Sequence, residues 1–227
     1  MISIERFDDH ASVATAAAAA VASALAGDGP RTFIATGGTT PGGAYDRLSA
    51  MDLDWSNITV APSDERFVDP DDEASNEGLL RRRLLVGRAA GATLLPLKGD
   101  GPTAAVDAAA ADARLRRAPP GAAVLLGMGA DGHIASLFPA DPDLAARLDP
   151  DGEALCVGVA LSSEPPYLPR ISLTVRPLLA TRLIVILVTG DAKRAVIERI
   201  ITDQTYAPPA AAVLRQTLTP LRILWAP

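Results

Sequence analysis

Short apolar segments alternate with longer segments of helical pattern along the chain. Residues 122–126 and 183–188 are continuous apolar runs, which are typical of strands covered on both faces of a parallel sheet. Residues 9–26 and 103–117 have the pattern of helices and end in turns that contain Gly and Pro. Strands that alternate with helices of this length indicate βαβ units. We therefore predict one α/β domain, residues 1–227, with a mostly parallel sheet and helices on both faces.

The same pattern predicts the order of the elements. Strands are expected at residues 2–6, 31–36, 57–61, 92–95, 122–126, 154–160, 171–175, 183–188 and 221–225. Helices are expected at residues 9–26, 75–85, 103–117, 192–201 and 210–214, with shorter ones ending near residue 49 and spanning residues 133–138. In open parallel sheets, ligands bind beyond the carboxyl ends of the strands. The loops after Thr36, Ala61, Leu126 and Val188 are therefore the places to search for functional residues.

Composition excludes several classes of protein. The chain has 227 residues, of which 48% are hydrophobic and 21% charged, as in globular domains. A net charge of −6 without a basic run argues against nucleic-acid or anionic-membrane partners. No apolar run approaches the ~20 residues of a membrane-spanning helix, and the start lacks a secretory signal pattern. The single cysteine, Cys156, excludes an intrachain disulfide and fits a reducing, cytoplasmic location.

The loop after the second predicted strand has the composition of an anion site. Glycines allow close approach of a ligand to the backbone, and unpaired N–H groups beside hydroxyl groups favour phosphate. A tight turn with a threonine cap explains the same residues without a ligand. The loop is not a Walker A motif, because no Gly-Lys-Ser/Thr sequence follows. The candidate phosphate-binding residues are Gly37, Gly38, Thr39 and Thr40.

Several charged side chains follow other strands or begin them. Asp64 and Arg66 come just after the strand predicted to end near Ala61, and an arginine there suits recognition of phosphate or carboxylate. Arg170 begins a strand, and Lys193 lies in the first turn of a helix, where the helix dipole disfavours a cation unless an anion is bound. Each of these side chains also has an ordinary explanation as a solvated surface charge.

The loop at residues 127–133 contains G-x-G-x-x-G directly after a buried strand. A dinucleotide site is disfavoured because Pro139 leaves only a short helix at residues 133–138 and no acidic residue ends the next strand. His133 is the better candidate, as a general base oriented by Asp131 or Asp64. A purely structural histidine is the alternative. We expect no metal site, since His10 is the only other histidine, and no serine triad, since G-x-S-x-G is absent.

Taken together, these motifs resemble the 6-phosphogluconolactonases, in family order and over nearly the whole chain. The matching segments are Gly-Gly-Thr-Thr-Pro at 37–41, Asp-Glu-Arg at 64–66 with Ser-Asn at 75–76, Gly-Met-Gly-Ala-Asp-Gly-His-Ile-Ala-Ser-Leu-Phe-Pro at 127–139, Arg-Ile-Ser-Leu-Thr at 170–174 and Gly-Asp-Ala-Lys at 190–193. The resemblance implies a Rossmann-like sheet, shared with glucosamine-6-phosphate deaminases and ribose-5-phosphate isomerases. It also implies hydrolysis of 6-phosphogluconolactone to 6-phosphogluconate in the oxidative pentose-phosphate pathway, without a metal or other cofactor.

The deaminase branch resembles this chain through the same glycine-rich and Asp-Gly-His segments. That branch typically continues its histidine motif as Ala-Phe-Asn-Glu-Pro, whereas residues 135–139 here are Ala-Ser-Leu-Phe-Pro, the lactonase form. Thr36 and Thr39 stand where lactonases often have serine, and both keep the hydroxyl group. Ile134 stands where they often have threonine and removes one.

The resemblance and the residues together predict a reaction scheme. The substrate phosphate lies on the loop of residues 37–40, held by Arg66, Arg170 and Lys193, and His133 activates a water molecule. An arginine, or a backbone N–H of the loop that contains Gly129, stabilises the oxyanion. The expected partner is a small phosphosugar lactone, with no nucleic acid or membrane, and the protein is expected to be a monomer or weak homo-oligomer. The non-catalytic alternative is a sugar-phosphate-binding regulator on the same fold.

Overall fold

The computed structural model of the protein describes residues 2–160 and 167–227. The described strands, numbered in chain order, are β1 Ile4–Arg6, β2 Arg31–Ala35, β3 Ile58–Pro62, β4 Asp64–Arg66, β5 Thr93–Leu94, β6 Gly121–Leu126, β7 Cys156–Val159, β8 Arg170–Leu173, β9 Leu183–Thr189 and β10 Leu221–Ala226. The α-helices are α1 His10–Leu25, α2 Gly42–Leu48, α3 Asn76–Arg83, α4 Ala104–Leu115, α5 Leu144–Arg147, α6 Val175–Leu179, α7 Asp191–Thr202 and α8 Ala210–Leu214. Short 3-10 helices span Trp55–Asn57 and Gly87–Gly91.

Seven of these strands form a parallel sheet in the order β1-β10-β9-β6-β2-β3-β5. Side chains of successive strand residues enter two separate cores, one on each face. Ile184 and Ile186 pack with residues of α4, α7 and α8, whereas Val185 and Leu187 pack with residues of α1 and α2. Helices therefore cover both faces, as the apolar runs predicted, and the α/β fold class is confirmed.

The order of the strands creates a crevice between β2 and β6. From β2 the chain continues outward through β3 to β5, and then returns to place β6 on the other side of β2. The connections leaving β2 and β6 therefore diverge, which opens a ligand-binding crevice at their carboxyl ends. The two glycine-rich loops follow these two strands.

A second sheet of three antiparallel strands, in the order β4-β8-β7, lies beside this crevice. The segment that forms β4 was expected to be a loop. A strand of three residues is too short to show a hydrophobic alternation, and β4 is held in its extended conformation by pairing with β8. Helices α5 and α6 were also not predicted.

The helix expected at residues 133–138 is wrong. That segment consists of turns with an isolated bridge between Ile134 and Leu137. Ala135 has a φ of 47°, which no right-handed helix accommodates. The backbone N–H of Ser136 instead donates to the hydroxyl of Ser172 on β8, at 3.1 Å. Tertiary contacts thus override the local pattern.

Among the described residues, every helix is too short or too polar to cross a membrane.

Candidate active site

A pocket of about 290 Å³ opens at the carboxyl ends of the central strands. Every predicted site residue except Asp131 lines it: Gly37, Gly38, Thr39, Thr40, Asp64, Arg66, Gly129, His133, Arg170 and Lys193. Residues from separate loops thus meet at one edge of the sheet. Asp131 lies just behind the wall, where it contacts His133.

The loop of residues 37–40 presents backbone N–H groups to this pocket. The strand end before it is anchored, because the Tyr45 hydroxyl donates to the carbonyl of Thr36 at 2.5 Å and the Thr36 N–H donates to Leu125 at 3.1 Å. Gly38 has a φ of 86°, in the region that favours glycine. Within residues 2–160 and 167–227, the N–H groups of residues 37–40 have no hydrogen-bond partner. Such N–H groups suit a bound anion.

His133 is fixed by the carboxylate two residues before it. One oxygen of Asp131 accepts from the backbone N–H of His133 at 3.0 Å and lies 2.7 Å from its ring Nδ1. Burial alone would raise the pKa of Asp131, but the hydrogen bonds from His133 outweigh it and leave that pKa lowered. Since an ionised carboxylate can only accept, Nδ1 carries the proton and Nε2 is left as the basic nitrogen.

The loop around the histidine is closed by its own backbone. The N–H of Gly129 donates to the carbonyl of His133 at 2.9 Å, and the N–H of Gly132 donates to the carbonyl of Gly129 at 3.1 Å. The carbonyl of Gly132 accepts from Ala210, the first residue of α8. These hydrogen bonds engage the N–H groups of Gly129 and Gly132, two of the loop N–H groups considered above as oxyanion donors.

Asp64 belongs to a different network from His133. It is 7% exposed, and its carboxylate accepts from the hydroxyl groups of Ser63 and Ser136 at 2.8 and 2.6 Å. The amide of Asn76 lies 3.4 Å from the same carboxylate. Of the two aspartates considered as partners of His133, the structure places Asp131 against the ring.

Two arginines face each other beside the pocket. Arg66 on β4 and Arg170 on β8 are directly paired residues of the antiparallel ladder. Like charges at such positions destabilise a sheet. Burial, together with the charge of Arg66, lowers the pKa of Arg170. An anion with two negative charges would offset this repulsion.

Lys193 approaches the pocket from α7. Burial lowers the pKa of its ammonium group, and in the described part of the chain this group makes no hydrogen bond or ion pair. It is the third residue of α7, so the helix dipole adds to the cost of its charge. A bound anion would offset both penalties.

No metal-binding group is found in the part of the chain that the structure describes: nowhere do three or more His, Cys, Asp or Glu side chains converge. Cys156 is buried outside this pocket, and desolvation raises its pKa to about 12, which leaves the thiol unreactive.

Sequence reasoning missed several residues of the pocket wall. Ser136 and Asn76 appeared only inside the segments of the family pattern, yet both contact Asp64. The Ser-Asn pair at 75–76 was a usable signal, because it belongs to the family pattern. The other lining residues not predicted are Thr36, Pro41, Gly127, Met128, Ala135, Phe138 and Leu187.

Comparison with known proteins identifies the family. The family model described as glucosamine-6-phosphate isomerases/6-phosphogluconolactonase matches residues 8–225. The chain belongs to this family.

The most similar relatives described here are 6-phosphogluconolactonases rather than glucosamine-6-phosphate deaminases. The chain is 45% identical to a 6-phosphogluconolactonase of Caulobacter vibrioides, over 99% of this chain and 97% of that protein. A crystal structure of a 6-phosphogluconolactonase from Shewanella baltica superposes with a TM-score of 0.92 at 33% identity, covering 100% of this chain and 98% of the other. A monomeric glucosamine-6-phosphate deaminase shares the fold, with a TM-score of 0.79 over 99% of this chain and 97% of its own, but only 16% identity. The predicted resemblance to 6-phosphogluconolactonases is confirmed.

Proposed function

We propose that this protein hydrolyses 6-phospho-D-glucono-1,5-lactone to 6-phospho-D-gluconate. The observation that carries the proposal is the pairing of His133 Nδ1 with Asp131 at 2.7 Å, at the wall of a pocket that also receives three cationic side chains. A basic imidazole nitrogen suits activation of water, and the cations suit a phosphorylated substrate. The lactonase relatives support the same assignment.

The phosphate group binds first to the loop of residues 37–40. The unpaired N–H groups of this loop and the hydroxyl groups of its threonines donate hydrogen bonds to the phosphate oxygens. Arg66, Arg170 and Lys193 supply positive charge around the same pocket. Binding at one end of the sugar then brings the lactone carbonyl toward His133.

His133 acts as general base through Nε2. It removes a proton from water as the water oxygen attacks the lactone carbonyl carbon, which gives a tetrahedral oxyanion. When the bond between C1 and the ring oxygen breaks, the imidazolium returns its proton to that ring oxygen. Asp131 keeps the ring in the required tautomer and stabilises the transient imidazolium.

The oxyanion donor is an arginine that the phosphate leaves free or a remaining backbone N–H of the loop of residues 129–133. The backbone N–H groups of Gly129 and Gly132 are engaged within their own loop. The guanidinium groups of Arg66 and Arg170 line the same pocket as His133. A cation fixed there stabilises the developing negative charge in a partly dehydrated site.

The test is a proton-release assay on freshly prepared lactone, beside an ammonia-release assay on glucosamine-6-phosphate. We expect lactone opening above the uncatalysed rate and no ammonia. Ammonia release at a comparable rate would transfer the protein to the deaminase branch. Tight binding of 6-phosphogluconate without any turnover would instead identify a non-catalytic sugar-phosphate regulator.

A further inference from the structure

Glu65 is a buried carboxylate that the proposed mechanism does not use. It lies on β4 between Asp64 and Arg66, which both line the pocket, and successive strand residues point to opposite faces. Its side chain is therefore turned away from the substrate. Only 1% of the residue is exposed, and burial raises the pKa of the carboxyl group against the effect of its hydrogen bonds.

The carboxylate of Glu65 accepts four hydrogen bonds. One oxygen accepts from the backbone N–H groups of Arg66 and Asn76, at 2.8 and 2.7 Å. The other accepts from the N–H of Glu77 at 2.6 Å and from the hydroxyl of Ser75 at 3.1 Å. Three of the four donors belong to the beginning of α3, so Glu65 fastens the start of that helix to β4. A negative charge at this end also complements the helix dipole.

The residue fixed in this way, Asn76, links three parts of the pocket. Its side-chain amide donates to the carbonyl of Asp64 at 2.7 Å, and its amide oxygen accepts from the guanidinium of Arg66. It also packs against the phosphate loop so closely that a Cβ on Gly37 would lie 1.8 Å from that oxygen. A small shift of Asn76 therefore moves Arg66 and the wall of the loop together.

We propose that Glu65 is a positioning residue, which holds Arg66 and the loop of residues 37–40 in register for the substrate phosphate by fixing Asn76. This proposal rests on the proposed lactonase function. It assigns the effect to substrate binding rather than to the chemical step, because no hydrogen bond of the described residues joins Glu65 to His133 or Asp131. It also explains why a carboxylate is kept in a buried position without facing the substrate.

The first test is Glu65→Gln, which keeps the shape but replaces one acceptor oxygen with an NH₂ group. We expect KM for the phosphorylated lactone to rise by about 10- to 100-fold, with kcat little changed, as for a misplaced binding group. The preference for phosphorylated over unphosphorylated gluconolactone should fall by the same factor by which KM rises. A purely structural role would lower the fraction of active protein, and hence the apparent kcat, but would leave KM unchanged.

Glu77→Gln is the matched control. Glu77 is also buried and belongs to the same turn of α3, but its side chain pairs with Arg81 and does not line the pocket. Its KM should stay within roughly twofold of wild type. An equal rise of KM in both variants would overturn the proposal, since it would show that any disturbance of the first turn of α3 weakens substrate binding.

Asn76→Ala tests the second half of the link. It preserves the hydrogen bond to Glu65, which uses the backbone N–H, and removes the side-chain contacts with Asp64, Arg66 and the phosphate loop at Gly37. We expect the same rise in KM, and no further rise in the double variant Glu65→Gln/Asn76→Ala, because the two residues act in series. Additive losses, or a folded Asn76→Ala protein with wild-type KM, would overturn the proposal even if Glu65→Gln failed to fold.

The wild-type protein separates this proposal from the function on which it rests. If wild type does not open the lactone, the proposed function fails. If wild type is active and Glu65→Gln is folded with unchanged KM, only the positioning role fails.

Discussion

Gly129 lies directly against the imidazole of His133. A Cβ built on Gly129 would be 2.2 Å from Nδ1 of the ring and 2.6 Å from the carboxylate of Asp131, closer than any real contact of such an atom. Glycine is thus required here because the histidine and its aspartate occupy the space of a side chain. The G-x-G-x-x-G pattern serves the packing of a catalytic candidate rather than a dinucleotide.

This packing predicts the effect of Gly129→Ala. The added methyl group must displace the ring or its aspartate, so kcat should fall by about 10-fold or more while the protein remains folded. Gly91→Ala is the control, because its nearest neighbour is 4.0 Å away. Steady-state kinetics and circular dichroism of both variants provide the measurement. A Gly129→Ala enzyme with wild-type kcat would show that the position of the ring is not critical.

The proposed base predicts that His133→Asn lowers kcat by about 10²–10⁴-fold with little change in KM. A folded variant that retains most of its kcat would exclude His133 as the base. Dialysis of wild type against a chelator should leave activity intact, and a loss restored by zinc would reveal a metal site.

The contact between Asp131 and His133 predicts non-additive variants. Asp131→Asn places an amide where a carboxylate accepted from Nδ1, which disfavours the tautomer with a basic Nε2. We expect kcat to fall by about 10²–10⁴-fold, and the double variant with His133→Asn to be no worse than His133→Asn alone. Multiplying losses would mean that Asp131 acts independently of the histidine.

The three cations predict the preference for phosphate. Replacement of Arg66, Arg170 or Lys193 by alanine removes one charge-assisted contact, which costs about 1.5–3 kcal/mol, or roughly 10- to 100-fold in KM. Each variant should discriminate less between phosphorylated and unphosphorylated lactone. Lys98→Ala is the control, because Lys98 contacts Gly99 and Phe67 outside the pocket wall. An unchanged KM and preference in Lys193→Ala would remove that lysine from the site.

The lowered pKa of Lys193 predicts an alkaline effect on binding. Since burial disfavours the ammonium form, the free protein loses this charge at a lower pH than an exposed lysine would. The contribution of the charged Lys193 to the affinity for 6-phosphogluconate should therefore be fully present below that lowered pKa. The affinity should weaken as pH rises through it. Lys193→Arg stays charged throughout and should lack this decline. Calorimetric Kd values across the alkaline range test the difference, and identical profiles would contradict the prediction.

Local chemistry was enough to predict the fold class and most candidate residues. The apolar run of residues 183–188, in a chain where strands alternate with helices, indicates a buried parallel strand, because both faces of such a strand are covered. Glycines and hydroxyl residues at strand ends indicate anion sites, since those loops open on the same sheet edge. Both kinds of signal lie within a few consecutive residues.

Only the tertiary structure decided how these loops combine. Asp64 and Asp131 were equal candidates as partners of His133, and their separation depends on Ser136 and Asn76, which come from distant segments. A turn forms at Ala135 instead of the predicted helix because the N–H of Ser136 donates a hydrogen bond to Ser172 on β8. The proposed role of Glu65 was likewise invisible, since three of its four donors lie about ten residues away or more and become neighbours only when α3 packs on β4. Contacts between distant segments carry no local period, so the sequence alone cannot reveal them.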